Sequence, residues 1–378
     1  MTLQAKVNAA GALATQAPED APMAGLDNVV AAETVLSHVD GIAGRLIVRG
    51  HELRELAGWR FEAVLALLWR DLAPGNPDEA RIAAELGAAR EHAFALLGPL
   101  LPASDGLSSV EALRLLLSAL ADAEPGSHHV LAVAAVPVFA AAIARRRAGK
   151  PPLAPDAGLC HAADFLKMLH GAPASSEKVK ALDTYLVTVA DHGLNASTFA
   201  ARVIASTRAG MFSSVIGALC ALKGPLHGGA PGPVLDMLDA IGDERRIEAW
   251  LVEAIDRGER LMGFGHRIYR VRDPRADVLK QAVASLRDEG GRIAFAEAVE
   301  AQALKLLARK KPERRLDTNV EFYTALVLEA VGFDADAFTN VFAAGRMAGW
   351  TAHVLEQEKL GRLIRPQSRY TGPMPAAA

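Results

Sequence analysis

Three histidines stand beside glycines in short breaks between apolar runs: His192 in Asp191-His-Gly-Leu-Asn195, His227 in Pro225-Leu-His-Gly-Gly229, and His266 in Gly263-Phe-Gly-His-Arg267. Glycine lets the backbone turn sharply and lets a ligand approach closely, so each imidazole is placed to face a cleft. The plain alternative, a loop histidine satisfied by a backbone carbonyl, serves for any one of them and less well for three. Three histidines and a carboxylate could also hold zinc. No pair, however, has the short spacing that puts two ligands on one helix face, and H-E-x-x-H is absent, so no metal site is expected. Imidazole N–H groups can instead donate to carbonyl oxygens and stabilise the charge that develops as a carbonyl becomes an enolate or an alkoxide.

That chemistry needs a base and anion clamps. The candidate base is Glu321 in Thr318-Asn-Val-Glu-Phe-Tyr323, at the start of an apolar helix. Taken alone, Glu321 is better read as the third helical residue of a capping box whose cap is Thr318, favoured there by the helix dipole. The candidate clamps are Arg275 in Asp273-Pro-Arg275, Arg346 in Ala344-Gly-Arg346 and Arg365 in Ile364-Arg-Pro366. A guanidinium offers a carboxylate two parallel charged hydrogen bonds, although each arginine taken singly also fits a solvated or structural role. Neither G-x-G-x-x-G nor a Walker sequence is present, so phosphate groups would have to be met by basic side chains. Arg270, Arg272, Lys310 and Lys311 are the candidates, with a solvated helix end as the other reading of the basic run from Arg309 to Arg315.

The elements that must hold these residues are helices. Only Thr34 to Val48 reads as sheet, two β-branched runs around a glycine-containing turn, which predicts one small hairpin. Beyond it, apolar residues recur at three- and four-residue spacing, as in Leu113, Leu116, Leu117 and Leu120, so the fold is mainly α. Proline and glycine mark breaks at 73–77, 101–102, 149–155, 223–225 and 273–274. From Arg245 to about Arg315 the chain is strongly charged, which suggests a separate, more polar subdomain, and apolar periodicity resumes at Val320. A last helix carrying Trp350, His353 and Leu355 stops at Gly361, leaving a polar tail, Arg365 to Tyr370, of a kind that reaches onto a partner subunit.

Composition narrows the class. The 378 residues are 51% hydrophobic and 22% charged, the profile of a folded globular chain with a large core. A net charge of −3 gives no global reason to bind nucleic acid or an anionic membrane. The most apolar run, Val130 to Ala144, is shorter than the roughly 20 residues a bilayer requires and contains Pro137, so it is expected to be a buried helix. Residues 1–24 resemble neither a signal nor a transit peptide; a flexible tail and a cytoplasmic location are expected. Cys160 and Cys220 lack metal-type spacing and are read as buried small apolar residues.

At this point the residues resemble those of citrate synthases. The matching blocks are ordered and span most of the chain: Gly25 to Thr34 with the hairpin, Phe165 to Leu169, Asp191 to Phe199, Lys223 to Ala230, Gly263 to Arg267 with Asp273 to Ala276, and Gly349 to His353 followed by Arg365-Pro366. The resemblance implies a mainly helical, two-domain homodimer with a small N-terminal hairpin. Residues 25–228 with 332–378 would form the large domain and 229–331 a smaller mobile one, with the active site between them. His227 would polarise the thioester carbonyl of an acyl-CoA and His266 the carbonyl of oxaloacetate. His192, Arg275 and Arg346 would hold oxaloacetate, while Arg365 is similar to the family arginine that completes the neighbouring subunit's site. Arg270 resembles a position that contacts CoA phosphate; with Arg272, Lys310, Lys311, Gly263 and Gly265 it makes up the expected CoA-binding set. No cofactor is implied, since the CoA thioester is a substrate. One departure stands out. The family base is usually Asp in Asn-Val-Asp, and this chain has Asn319-Val-Glu321. Citrate formation from acetyl-CoA is the first expectation, with 2-methylcitrate formation from propionyl-CoA, or a CoA- and dicarboxylate-binding homologue with little turnover, as alternatives.

Overall fold

A computed structural model describes residues 29–123, 125–225, 227, 231–266, 268–286 and 291–375. The predicted hairpin is present. Strands β1 (Ser37–Asp40) and β2 (Arg45–Val48) pair antiparallel with Ser37 opposite Val48 and Asp40 opposite Arg45. Alternation buries Leu46 and Val48 on one face. A third short strand, β3 (His51–Glu52), which the sequence pattern did not suggest, continues the sheet from β2. The expected tail at 1–24 lies outside the described residues; Val29–Glu33 has no regular structure, and Thr34–Ala378 forms one compact unit.

Helices supply the rest, and their ends follow local chemistry. Asp78 caps Glu79–Ala95 by accepting the Arg81 N–H, and Ser108 with Glu111 forms a capping box on Ser109–Leu117. The helix Phe338–Leu360 ends, as the sequence suggested, at Gly361 in the left-handed region. The apolar run around Pro137 becomes the 20-residue helix His128–Arg147, lengthened by polar residues at both ends. By length and composition it could cross a membrane, but 78% of its apolar window is buried inside the protein. It packs against Glu79–Ala95, Ser109–Leu117 and Phe338–Leu360 as the central core helix. Gly349 brings Phe338–Leu360 against the end of Ser176–Val189, where a Cβ would stand 2.4 Å from the Ala190 carbonyl oxygen.

The two cysteines differ from expectation: Cys160 is half-buried and Cys220 exposed. The helix Met211–Leu222 buries Met211, Val215, Ala218 and Leu222, and that spacing leaves Cys220 on the opposite face.

Candidate active site

The loop bearing His266 and the segment bearing Glu321 are stitched together. Phe264 and Thr318 form an isolated antiparallel bridge; Gly265 N–H donates to the Asp317 carbonyl (2.8 Å) and Asn319 N–H to the Gly263 carbonyl (2.9 Å). The Asn319 amide donates to the Gly265 carbonyl at 2.8 Å. Gly263 and Gly265 both have φ near +80°, and a Cβ on Gly263 would lie 2.8 Å from Phe322, so this pairing needs glycine.

The helix Val320–Val331 is capped by Asn319, whose side-chain oxygen accepts the Glu321 N–H at 2.9 Å. This corrects the expectation of a capping box from Thr318. The Thr318 hydroxyl turns inward to donate to Glu300 at 2.6 Å, which shifts the helix start by one residue and leaves the Glu321 carboxylate unused by the cap. Among the described residues Glu321 has no side-chain hydrogen bond, and it is half-buried. Burial raises its pKa above the ordinary glutamate value, against the opposing charges of Arg260 and Arg275.

His266 Nδ1 accepts the N–H groups of Ile268 and Tyr269, both at 3.0 Å, which assigns the ring proton to Nε2. Nε2 faces Arg275 Nη2 at 3.2 Å. Two donors therefore meet, and an oxygen acceptor between them would serve both. Burial, and then Arg275, push the His266 pKa down to about 4. Arg275 is held by Asp273 through Nε (3.0 Å) and Nη2 (2.8 Å), and Asp273 also takes the N–H of Val320 at 3.2 Å. His192 is buried, with Nε2 3.1 Å from the Tyr269 hydroxyl and its ring 6.0 Å from that of His266. Burial, reinforced by Arg275 and Arg346, holds it neutral.

Arg346 is 2% exposed on the Phe338–Leu360 helix. Its Nε donates to the Val189 carbonyl at 2.6 Å, and no carboxylate lies within ion-pair distance among the described residues. Burial pulls its pKa down to about 10, with Asp191 opposing. A buried cation lacking a paired anion is costly, and a bound carboxylate would relieve that cost. His227 Nε2 accepts the Ser197 N–H at 3.2 Å and lies 2.8 Å from the Ser197 hydroxyl, which in turn takes the Trp350 indole N–H at 3.2 Å. Its proton is thereby assigned to Nδ1, and burial lowers its pKa to about 4. The field of Arg346 reaches His192, His227 and Arg275, so these groups share one electrostatic neighbourhood.

The other candidates stand differently. Arg365 is exposed on the C-terminal tail. Arg270 is exposed, its backbone N–H donating to the Gly41 carbonyl at 2.8 Å. Arg272 is engaged with Asp277 (2.5 Å) and Glu300 (3.1 Å), and Lys310 with Asp256, so both are tied up in the fold; Lys311 follows at the helix end. Gly263 and Gly265 pack against Phe322 and Leu316, which gives them a structural duty. Sequence reasoning missed Asp273, Tyr269 and Ser197. The Asp-Pro-Arg order, with Asp as a helix cap before Pro, was a signal for the first; the other two act through contacts between distant segments. A cavity of about 270 Å³ lies elsewhere, lined in part by Asp105, Arg146 and Arg147. Those arginines are already paired with Asp105 and Asp336, so it offers no spare charge to a ligand.

Residues 25–367 match the family described as citrate synthase, C-terminal domain. A citrate synthase of Haloferax volcanii is 38% identical over 364 residues, covering 92% of this chain and 95% of the relative. A 2-methylcitrate synthase of Mycobacterium tuberculosis is 35% identical over 360 residues, covering 92% and 90%. Among solved structures, the citrate synthase of Thermotoga maritima superposes with a TM-score of 0.81 at 34% identity, covering 94% of this chain and 97% of that one. A ternary complex of carboxymethyl coenzyme A and oxaloacetate with the citrate synthase of Thermoplasma acidophilum gives 0.81 at 28% identity, covering 93% and 96%.

Proposed function

Because this chain belongs to the citrate synthase family, we propose that it condenses acetyl-CoA with oxaloacetate and hydrolyses the resulting thioester to citrate and CoA. The observation that carries this reading is the donor pair at the centre of the site. His266 Nε2–H faces Arg275 Nη2, which keeps one N–H on Asp273 and turns its other toward the imidazole, so an oxygen placed beside the pair would accept from both. In this reading oxaloacetate puts its carbonyl oxygen beside His266 and its carboxylates against Arg275, Arg346 and His192. The ionised Glu321 removes a proton from the thioester methyl group, and His227 Nδ1–H donates to the developing enolate oxygen. The enolate carbon attacks the oxaloacetate carbonyl, forming the new C–C bond, and the alkoxide takes a proton from the His266 side. Water then cleaves the thioester, releasing CoA and making the sequence irreversible.

Both histidines have pKa values of about 4, so they remain neutral and donate as imidazole at physiological pH. Replacing His227 by Ala is expected to lower kcat on the order of 10²–10³-fold, as removal of one oxyanion donor does elsewhere. Near-native condensation by that variant would remove His227 from the mechanism.

Residues 25–228 with 332–378 form the large domain of this reading and 229–331 the smaller mobile one. His192 and Arg346 then lie on one side of the cleft, with His266, Arg275 and Glu321 on the other. Exposed Arg365 completes the site of a second copy in a homodimer, and Arg270 meets CoA phosphate. Propionyl-CoA is the second acyl donor to test, supported by the relative named as a 2-methylcitrate synthase. One methylene in an apolar pocket discriminates by only about 1–3 kcal/mol, so the catalytic groups leave this choice open to measurement.

A further inference from the structure

The hairpin β1–β2 opens the compact unit, and none of the catalytic roles above uses it. Its side chains and turn nevertheless reach the two segments on which the oxaloacetate histidines sit. The Ser37 hydroxyl on β1 donates to Asp191 Oδ2 and accepts the Gly193 N–H at 2.9 Å, so one oxygen bridges the residues on either side of His192. Val39 on the same strand packs at Gly193, where a Cβ would come 3.4 Å from its methyl group. At the turn, the Gly41 carbonyl accepts the Arg270 N–H at 2.8 Å, and a Cβ on Gly41 would fall 2.4 Å from the Ile268 carbonyl oxygen. A Cβ on Gly44 would fall 2.6 Å from a Val271 methyl. The segment so gripped, Ile268 to Val271, supplies the two N–H groups that fix the His266 tautomer and the Tyr269 hydroxyl that meets His192.

We infer that the hairpin is the positioning element for the oxaloacetate half of the site, and that Ser37 is a positioning residue acting through the Asp191–Gly193 backbone on His192. Asp191 is 1% exposed, and its other oxygen, Oδ1, faces His353 Nε2 at 3.3 Å without hydrogen-bond alignment. The Ser37 hydroxyl is therefore the well-made hydrogen bond on a buried carboxylate. Removing it strips Oδ2 of its donor, leaves His353 as the neighbour of Oδ1 alone, and frees the Gly193 N–H, which loosens the turn that aims His192. A displacement of about 1 Å there suffices to weaken substrate orientation severely.

This inference rests on the proposed reaction, and the test separates the two. In Ser37→Ala the KM for oxaloacetate is expected to rise roughly 10-fold or more while the KM for the acyl-CoA stays within about twofold of wild type. Ser37→Thr, which restores the hydroxyl, is expected to recover most of the loss. An unchanged oxaloacetate KM in Ser37→Ala, an equal loss for both substrates, or failure of Ser37→Thr to restore what Ser37→Ala loses would overturn it. Amide exchange on the wild-type chain gives a second reading that needs neither a variant nor catalysis: Gly193 N–H is expected to be strongly protected, and rapid exchange there would overturn the bridge. If wild type releases no thiol in response to oxaloacetate, the reaction assignment falls, and Gly193 protection still decides the role of Ser37.

Discussion

At Glu321 one methylene separates this chain from the Asp usual in the family, and the carboxylate stands half-buried without a hydrogen-bonded partner among the described residues. A base works when ionised. Because burial raises its pKa, kcat/KM is expected to fall on the acid side through a midpoint above the ordinary glutamate value. Arg260 opposes that rise more than any other charge, so Arg260→Ala is expected to move the acid limb to higher pH; an unmoved limb would detach Glu321 from the rate. Glu321→Gln should lower kcat by about 10²–10⁴-fold, measured by thiol release at saturating substrates. From sequence, residue type identified Glu321 as a candidate but gave it the wrong partner. Thr318 looked like a cap because its spacing fits, and only the fold shows its hydroxyl committed to Glu300 while Asn319 makes the cap.

Elements that depend on neighbouring residues were legible: the hairpin, the resumption of helix at Val320, the stop at Gly361. What escaped were pairings between distant segments. The bridge from Phe264 to Thr318 and the clasp of Gly41 on Ile268 leave no periodic trace, although the glycines that permit the bridge were visible beside His266. The bridge makes a sharp test. Gly263→Ala would place a methyl group at φ +85° and 2.8 Å from Phe322. It should cost about 1–3 kcal/mol of stability and raise the oxaloacetate KM through His266, seen as a lower melting temperature together with weaker substrate use. Wild-type values for both would show that the bridge does not hold the histidine.

Across the molecule, buried charge outside the site also shapes behaviour. Asp183 accepts the Phe61 N–H at 3.0 Å, and burial, with Glu62 next in effect, lifts its pKa to about 7 from 3.8. The folded chain therefore keeps a proton that the unfolded chain gives up across that interval. Stability from this group is full below about pH 4 and lost as pH rises through 7. Asp183→Asn, which retains an acceptor for Phe61, should flatten the dependence of melting temperature on pH between 5 and 8; an identical slope would remove Asp183 as its source. Assembly can be tested through Arg365, which lies exposed on the C-terminal tail. If it serves the partner's site, mixing inactive Arg365→Met and Glu321→Gln chains under subunit exchange should regenerate activity above either alone, because one hybrid site is then intact; no gain would place Arg365 outside the reaction. The most direct measurement is the initial rate of thiol release from acetyl-CoA by the purified wild-type chain, with and without oxaloacetate, beside the same pair with propionyl-CoA. The proposed chemistry requires release that depends on oxaloacetate, and the faster thioester names the product as citrate or 2-methylcitrate; release from neither thioester in the presence of oxaloacetate would contradict it.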